Sequence, residues 1–232
     1  MLFAIKIFIA AHFLLSSSSN SLHGAASAAI YTPKLSAPGA IDRSKRVAAF
    51  GNEQFMYKDE STEALEKLVA PWLLYYTNQY RADAGVDTLK YDNCLQQAAK
   101  YHADYLFNES KEKHQFKLVH VEDPESKWFK GKGPSDRALT AGCKKYCGEN
   151  ALYFTRSGWL ANEAANKAEL NEVAKKMARD MVYDQWHKSK PHRENMLTKG
   201  YLSLGVSATI GKRSENNAPE QLVVFGVQVM AY

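Results

Sequence analysis

The chain has 232 residues, of which 45% are apolar, 24% charged and 12% aromatic, with a formal net charge of +5. That is enough apolar surface to build a core, so a wholly disordered chain is excluded. From Ser61 onward Lys and Arg number 24 and Asp and Glu 21, without a long basic cluster, which argues against a nucleic-acid partner.

Met1–Leu15 carries Lys6 and then an apolar run from Ile7 to Leu15, followed by serines and the small residues Ala25-Ala26-Ser27-Ala28. This is the layout of a secretory signal peptide cleaved near Ala26 or Ala28. The run is shorter than the roughly 20 residues needed to cross a bilayer. The chain therefore reads as a signal peptide over 1–28, a leader or linker over 29–60 and one folded domain over 61–232, secreted and not membrane-spanning. The linker holds Pro33, Pro38, Gly39 and the basic run Arg43-Ser44-Lys45-Arg46, a solvated stretch that also resembles a convertase site.

From Leu65 to Tyr80 the residues Leu65, Leu68, Val69, Trp72, Leu73 and Tyr76 recur at helical spacing. Pro71 inside that stripe predicts a kink or split. A second helix is expected from about Asn93 to Phe107, with Leu95, Ala98, Ala99, His102 and Leu106 on one face. A short helix is expected from Ser135, as N-cap, to Gly142. Gly148–Phe154 reads as a turn into a short strand, and Asn162–His187 as a long helix. Two strands close the chain, Tyr201–Ile210 and Gln221–Ala231, joined by a polar loop over Gly211–Glu220. The second is apolar on both faces, as in a strand covered on both sides. Helices from two regions and a doubly covered sheet predict an α/β, three-layer α-β-α sandwich.

Three polar residues stand in structure-specifying contexts: His120 before Glu122-Asp123-Pro124, Glu149 between Gly148 and Asn150, and His192 in Trp186–Leu197. Two imidazoles and a carboxylate can hold Zn²⁺ with one position open, or can hydrogen-bond one another. Cys143 and Cys147 are four apart, a spacing that a helix closes to about 6 Å between Cα atoms; a local disulfide and two free thiols are both compatible with it. Asn108-Glu109-Ser110 is an N-glycosylation sequon if the source is eukaryotic. His102, His114 and His187 read as surface or helix-face residues rather than ligands.

Asn78-Gln79-Tyr80-Arg81-Ala82 with Gly85, Leu89–Ala103, His120-Val121-Glu122-Asp123-Pro124, Asp136-Arg137-Ala138 leading to Gly148-Glu149-Asn150, and Trp186–Leu197 with Leu204-Gly205-Val206 occur in this order. Together they resemble the CAP superfamily of cysteine-rich secretory, antigen 5 and pathogenesis-related 1 proteins, whose module is also called the SCP domain. The resemblance covers about Leu65–Tyr232 and implies an α-β-α sandwich with a central, mainly antiparallel sheet. It also implies a cavity of two histidines and two acids, in which His120, Glu149 and His192 take three places. Ser189 stands where the second acid would be. The implied partners are a lipid, a sterol or an extracellular protein, bound without catalysis. The alternative is a metal-dependent hydrolase on His120, Glu149 and His192, in which the metal would lower the pKa of a bound water.

Overall fold

The computed structural model describes residues 56–157, 166–214 and 220–232. The signal-peptide and most of the linker assignments, the start of the helix expected from Asn162 and part of the Gly211–Glu220 loop lie outside the described residues. In chain order the elements are α1 (Glu60–Asp83), β1 (Lys90–Tyr91), α2 (Asn93–Glu112), α3 (Pro134–Thr140), β2 (Cys147–Ser157) and α4 (Lys167–Arg179). They continue with a π-helical segment (Asp180–Trp186), α5 (Lys190–Met196), β3 (Ser203–Arg213) and β4 (Gln221–Ala231).

The strands form one sheet in the order β1-β3-β4-β2, with β1 parallel to β3 and the other pairs antiparallel. Side chains alternate across a strand, so β4 supplies both halves of the core. Leu222, Val224 and Met230 join Leu65, Val69 and Leu73 of α1, Met177 of α4 and Trp186. Val223, Phe225, Val227 and Val229 join Leu95, Ala99 and Leu106 of α2 and Ala138 of α3. The expected three layers are therefore present: α1, α4 and α5 on one face, α2 and α3 on the other. Among the described residues no helix is long and apolar enough to cross a membrane.

Local chemistry sets the ends of the helices. Asp59 and Thr62 form a reciprocal capping box at the start of α1. Burial raises the Asp59 carboxyl, but Lys212, at 2.8 Å, and the capping hydrogen bonds outweigh it and bring it to about 2. Asp92 caps α2 by accepting from the amides of Cys94 and Leu95. β3 approaches α2 closely at Gly205, where a Cβ would stand 2.0 Å from the Gln96 amide.

Several expectations are corrected. Pro71 does not split the helix: it lies inside a continuous α1. Pro71 and Lys67, whose carbonyl loses the Pro71 amide as partner, are both exposed residues, so the missing bond falls on the outer side of the helix. The helix expected from Ser135 begins at Pro134 with Gly133 as its cap. The Ser135 hydroxyl instead accepts the amide of Cys147 at 3.0 Å, tying α3 to β2. β2 is eleven residues long because it pairs with β4 along its whole length. The long fourth helix changes from α to π winding at Asp180.

The disulfide is also different. Cys94 bonds to Cys143, with Cα atoms 6.0 Å apart, and Cys147 is free. The helical spacing assumed for Cys143 and Cys147 is absent, because residues 143–146 form no helix and Cys147 opens β2. A chain running out into a strand advances roughly 3.3 Å per residue, which carries four residues beyond the reach of a disulfide. Burial, its largest influence, pushes the Cys147 thiol up to about 11, so it is not a ready nucleophile. The Asn108-Glu109-Ser110 sequon falls within α2, where the Asn108 side chain donates to the carbonyl of Asp104 at 2.8 Å.

Candidate functional site

Glu149 and Asn150 are successive residues of β2 and point to opposite faces of the sheet. Glu149 enters the layer of α2 and α3. Its Oε1 is 2.9 Å from His120 Nδ1 and 3.5 Å from His102 Nε2, and its Oε2 accepts from Arg137 Nη2 at 2.6 Å. Both carboxylate oxygens are thus engaged. Burial pushes the Glu149 carboxyl up, but the His120 hydrogen bond and the charges of His102 and Arg137 outweigh it and hold it below the ordinary value. Glu149 in turn raises His120 through their hydrogen bond, against the opposing effect of desolvation.

The segment bearing His120 is clamped from below by His102, which is fully buried in α2. His102 Nε2 lies 2.7 Å from the carbonyl of Val119, and Nδ1 lies 2.9 Å from Glu122 Oε1. Each ring nitrogen faces an oxygen acceptor, so the ring is held at both edges. Glu122 also accepts the amide of Lys130 at 2.8 Å and lies 3.5 Å from Arg137. Two buried carboxylates therefore share one buried guanidinium, with an imidazole between them, so neither is left without a polar partner where desolvation is most costly.

Asn150 faces the other layer. Its side chain donates to the carbonyl of His192 and to Gln228 Oε1, each at 3.0 Å, and accepts from Asn195 at 2.9 Å. Gln228 donates on to Thr77 of α1 at 2.6 Å, and Asn195 accepts from the Tyr201 hydroxyl at 2.9 Å. Arg81 closes the far end of α5 by donating to the Met196 carbonyl at 2.5 Å. This buried chain fixes α5, and hence His192, against β2. It passes directly over Gly148, where a Cβ would stand 2.0 Å from the Tyr201 oxygen and 2.8 Å from Asn195 Oδ1. No side chain larger than glycine's hydrogen fits there without displacing that network.

The three residues singled out from sequence are therefore linked through two adjacent positions of β2. His120 contacts Glu149 directly, and His192 is held by Asn150. Burial lowers the pKa of His192, and the charge of His120 adds to that effect. Ser189 is the N-cap of α5 but makes no side-chain capping bond. His102, Glu122, Arg137, Asn150 and Asn195 carry the geometry without having been assigned a role from sequence. For His102 the signal was present, because it shares a helix face with Leu95, Ala98, Ala99 and Leu106, all buried.

The orientation of His120 bears on how a divalent metal would be held here. With Nδ1 of His120 turned to a carboxylate, its Nε2 is left as the ligating atom, the arrangement by which carboxylates orient metal-binding histidines. His192, favouring its neutral form, suits the same task. Glu149, with His120 on one oxygen and Arg137 on the other, is placed as an orienting carboxylate. Among the described residues, the three potential ligand side chains whose donor atoms all lie within 4.8 Å of one another are Asp92, Cys94 and Cys143. Two of these are joined in the disulfide and the third caps α2, so they are structural.

A family model described as the cysteine-rich secretory protein family, CAP, matches residues 74–229. No curated protein matches the chain. Among solved structures, an extracellular protein containing an SCP domain from Bacillus anthracis str. Ames is 17% identical with a TM-score of 0.42, and the match covers 72% of this chain and 41% of that one. An outer surface protein from Borrelia burgdorferi is 14% identical with a TM-score of 0.38, over 74% of this chain and 97% of that one. The CAP domain of Enterococcal PrgA is 19% identical with a TM-score of 0.35, over 69% of this chain and 60% of that one. The match thus spans well under two thirds of the Bacillus protein's length.

Proposed function

Since the chain belongs to the CAP family, we propose that it is a non-enzymatic extracellular module that takes a lipid, sterol or protein partner in a cleft formed at His120, Glu149 and His192. The observation that carries this reading is the full engagement of Glu149 by His120 and Arg137. A metal-dependent hydrolase needs a carboxylate free to ligate or to take a proton from water. Glu149 is committed to orienting His120, and the position of the second family acid is Ser189. In this reading a bound Zn²⁺ would be held by His120 and His192, where it would supply a Lewis-acidic point of attachment for a partner oxygen. Export through the N-terminal segment belongs to the same reading, and N-terminal sequencing of the secreted protein reads its cleavage near Ala26 or Ala28.

Titration calorimetry with Zn²⁺ tests the site. Weak, reversible binding is expected, abolished in His192→Ala. It should weaken as the pH falls through the raised titration of His120, because a proton then competes for the ring. Binding unchanged in His192→Ala would remove the shared site. A peptide-library assay tests the absence of turnover. Metal-dependent cleavage that is lost when His120, Glu149 and His192 are all replaced by alanine would establish the hydrolase instead.

A further inference from the structure

We propose that the end of the sheet where β3 starts and β4 finishes is a docking face for an anionic lipid surface. β2, β4 and β3 share a last ladder rung at Cys147, Ala231 and Ser203. The residues just beyond that rung are Tyr146, Tyr232 and Leu202, and they are 84%, 60% and 66% exposed. Lys90 of β1 stands beside Leu202, its amide donating to the Leu202 carbonyl at 3.0 Å. Leu202 is held in turn by its own amide on the Ala231 carbonyl at 2.8 Å, and Tyr232 packs on Tyr201 with ring centroids 4.7 Å apart. These are large apolar groups that the fold holds in place and leaves in water.

Charge identifies the partner. Lys90, Lys144 and Lys199, in the segments that carry Tyr146, Leu202 and their neighbours, are exposed. Within segments 89–92, 143–147, 199–203 and 231–232 the one acidic side chain is Asp92, and Lys145 neutralises it at 2.5 Å. The face is therefore cationic as well as aromatic. Phenol rings and leucine ringed by lysines suit the headgroup region of a bilayer: the rings sit at the boundary, and the lysine stems lie along the apolar layer with their ammonium groups on the phosphates. The strands end here in completed ladders, so the face offers no open strand edge for a peptide to extend. The face gives the lipid class of partner proposed above a location that does not depend on metal at His120 and His192.

Co-sedimentation of the full chain with vesicles, in EDTA so that the histidine site plays no part, tests the proposal. The N-terminal apolar run is common to all variants and to both vesicle types. Binding to phosphatidylcholine vesicles containing 30% phosphatidylserine is expected to exceed binding to pure phosphatidylcholine, and to weaken as salt is raised. Each lysine near an anionic surface contributes about five-fold. Lys144→Ala with Lys199→Ala should therefore lower the partition coefficient about 25-fold, and Tyr146→Ser with Leu202→Ser should lower it at unchanged melting temperature. Equal binding to both vesicle types, no binding at all, or two unaffected double variants would each overturn the proposal. Capture of polyglutamate without capture of vesicles would overturn it in favour of an acidic protein partner.

Discussion

The Cys94–Cys143 bond makes a quantitative prediction that separates it from the Cys143–Cys147 pairing suggested by spacing. A cross-link stabilises mainly by restricting the unfolded chain, and its effect grows with the enclosed loop. The observed bond spans 49 residues, which in the loop-entropy model corresponds to about 4 kcal/mol at 25 °C. A bond across the four residues from Cys143 to Cys147 would give about 2 kcal/mol on the same model. Cys94→Ser with Cys143→Ser should therefore lower the unfolding free energy by about 4 kcal/mol. For a urea dependence of about 2 kcal/mol per molar, the midpoint moves down by about 2 M. Cys147→Ser should leave the midpoint in place. Equilibrium urea unfolding by tryptophan fluorescence measures all three proteins. A Cys147→Ser variant that loses stability while Cys94→Ser does not, or a non-reduced peptide map joining Cys143 to Cys147, would refute the assignment.

The two site histidines should titrate on opposite sides of 6.5, His120 above it and His192 below it, as read by the imidazole proton shifts in NMR. Since charged His120 is favoured in the folded state, its contribution to stability is complete below pH 6.5 and disappears as pH rises through its raised value. His192 behaves oppositely, costing stability as pH falls from 6.5 toward its lowered value. Glu149→Gln should bring His120 back down, and an unmoved His120 would disprove the coupling. Gly148→Ala places a methyl against Tyr201 and Asn195 and should cost about 1–3 kcal/mol, with amide shifts spreading to His192. A variant as stable as wild type would show that the Asn150–Asn195–Tyr201 network yields freely. Ser189→Ala should change stability by less than about 0.5 kcal/mol, because its hydroxyl makes no cap; a larger loss in thermal unfolding would show a role that its contacts do not display.

Legibility in the sequence followed the amount of signal each element needed. The β4 run from Leu222 to Met230 declared its doubly covered position, since only a central strand tolerates apolar side chains on both faces. The stripes of α1 and α2 were equally plain. Pro71 does not split α1 because it falls on the exposed side of a helix whose opposite stripe is buried in the core. The pairing of Cys94 was hidden because spacing along the chain carries no information about a partner 49 residues away. At the site, His120, Glu149 and His192 were found by the family order of their segments, whereas Arg137 and Glu122 were not. Their importance lies in mutual neutralisation, which appears only once α3 and the 119–122 segment are folded onto β2.

The adjacency of Glu149 and Asn150 makes the sheet register self-checking. Sliding β2 by one residue against β4 would invert every side chain along it. The carboxylate would then enter the Thr77–Gln228–Tyr201 layer away from Arg137 and His120, and the amide would face Arg137 and His102 without a charge to offer. Hydrophobic mismatch alone would be a graded penalty, whereas these two polar errors would occur together. The pair therefore works as a proofreading mark: a chain that brings His120 to Glu149 and the His192 carbonyl to Asn150 has already paired β2 in its native register. The upward shift of the His120 titration consequently doubles as a folding reporter, present only in molecules whose sheet brings Glu149 to it.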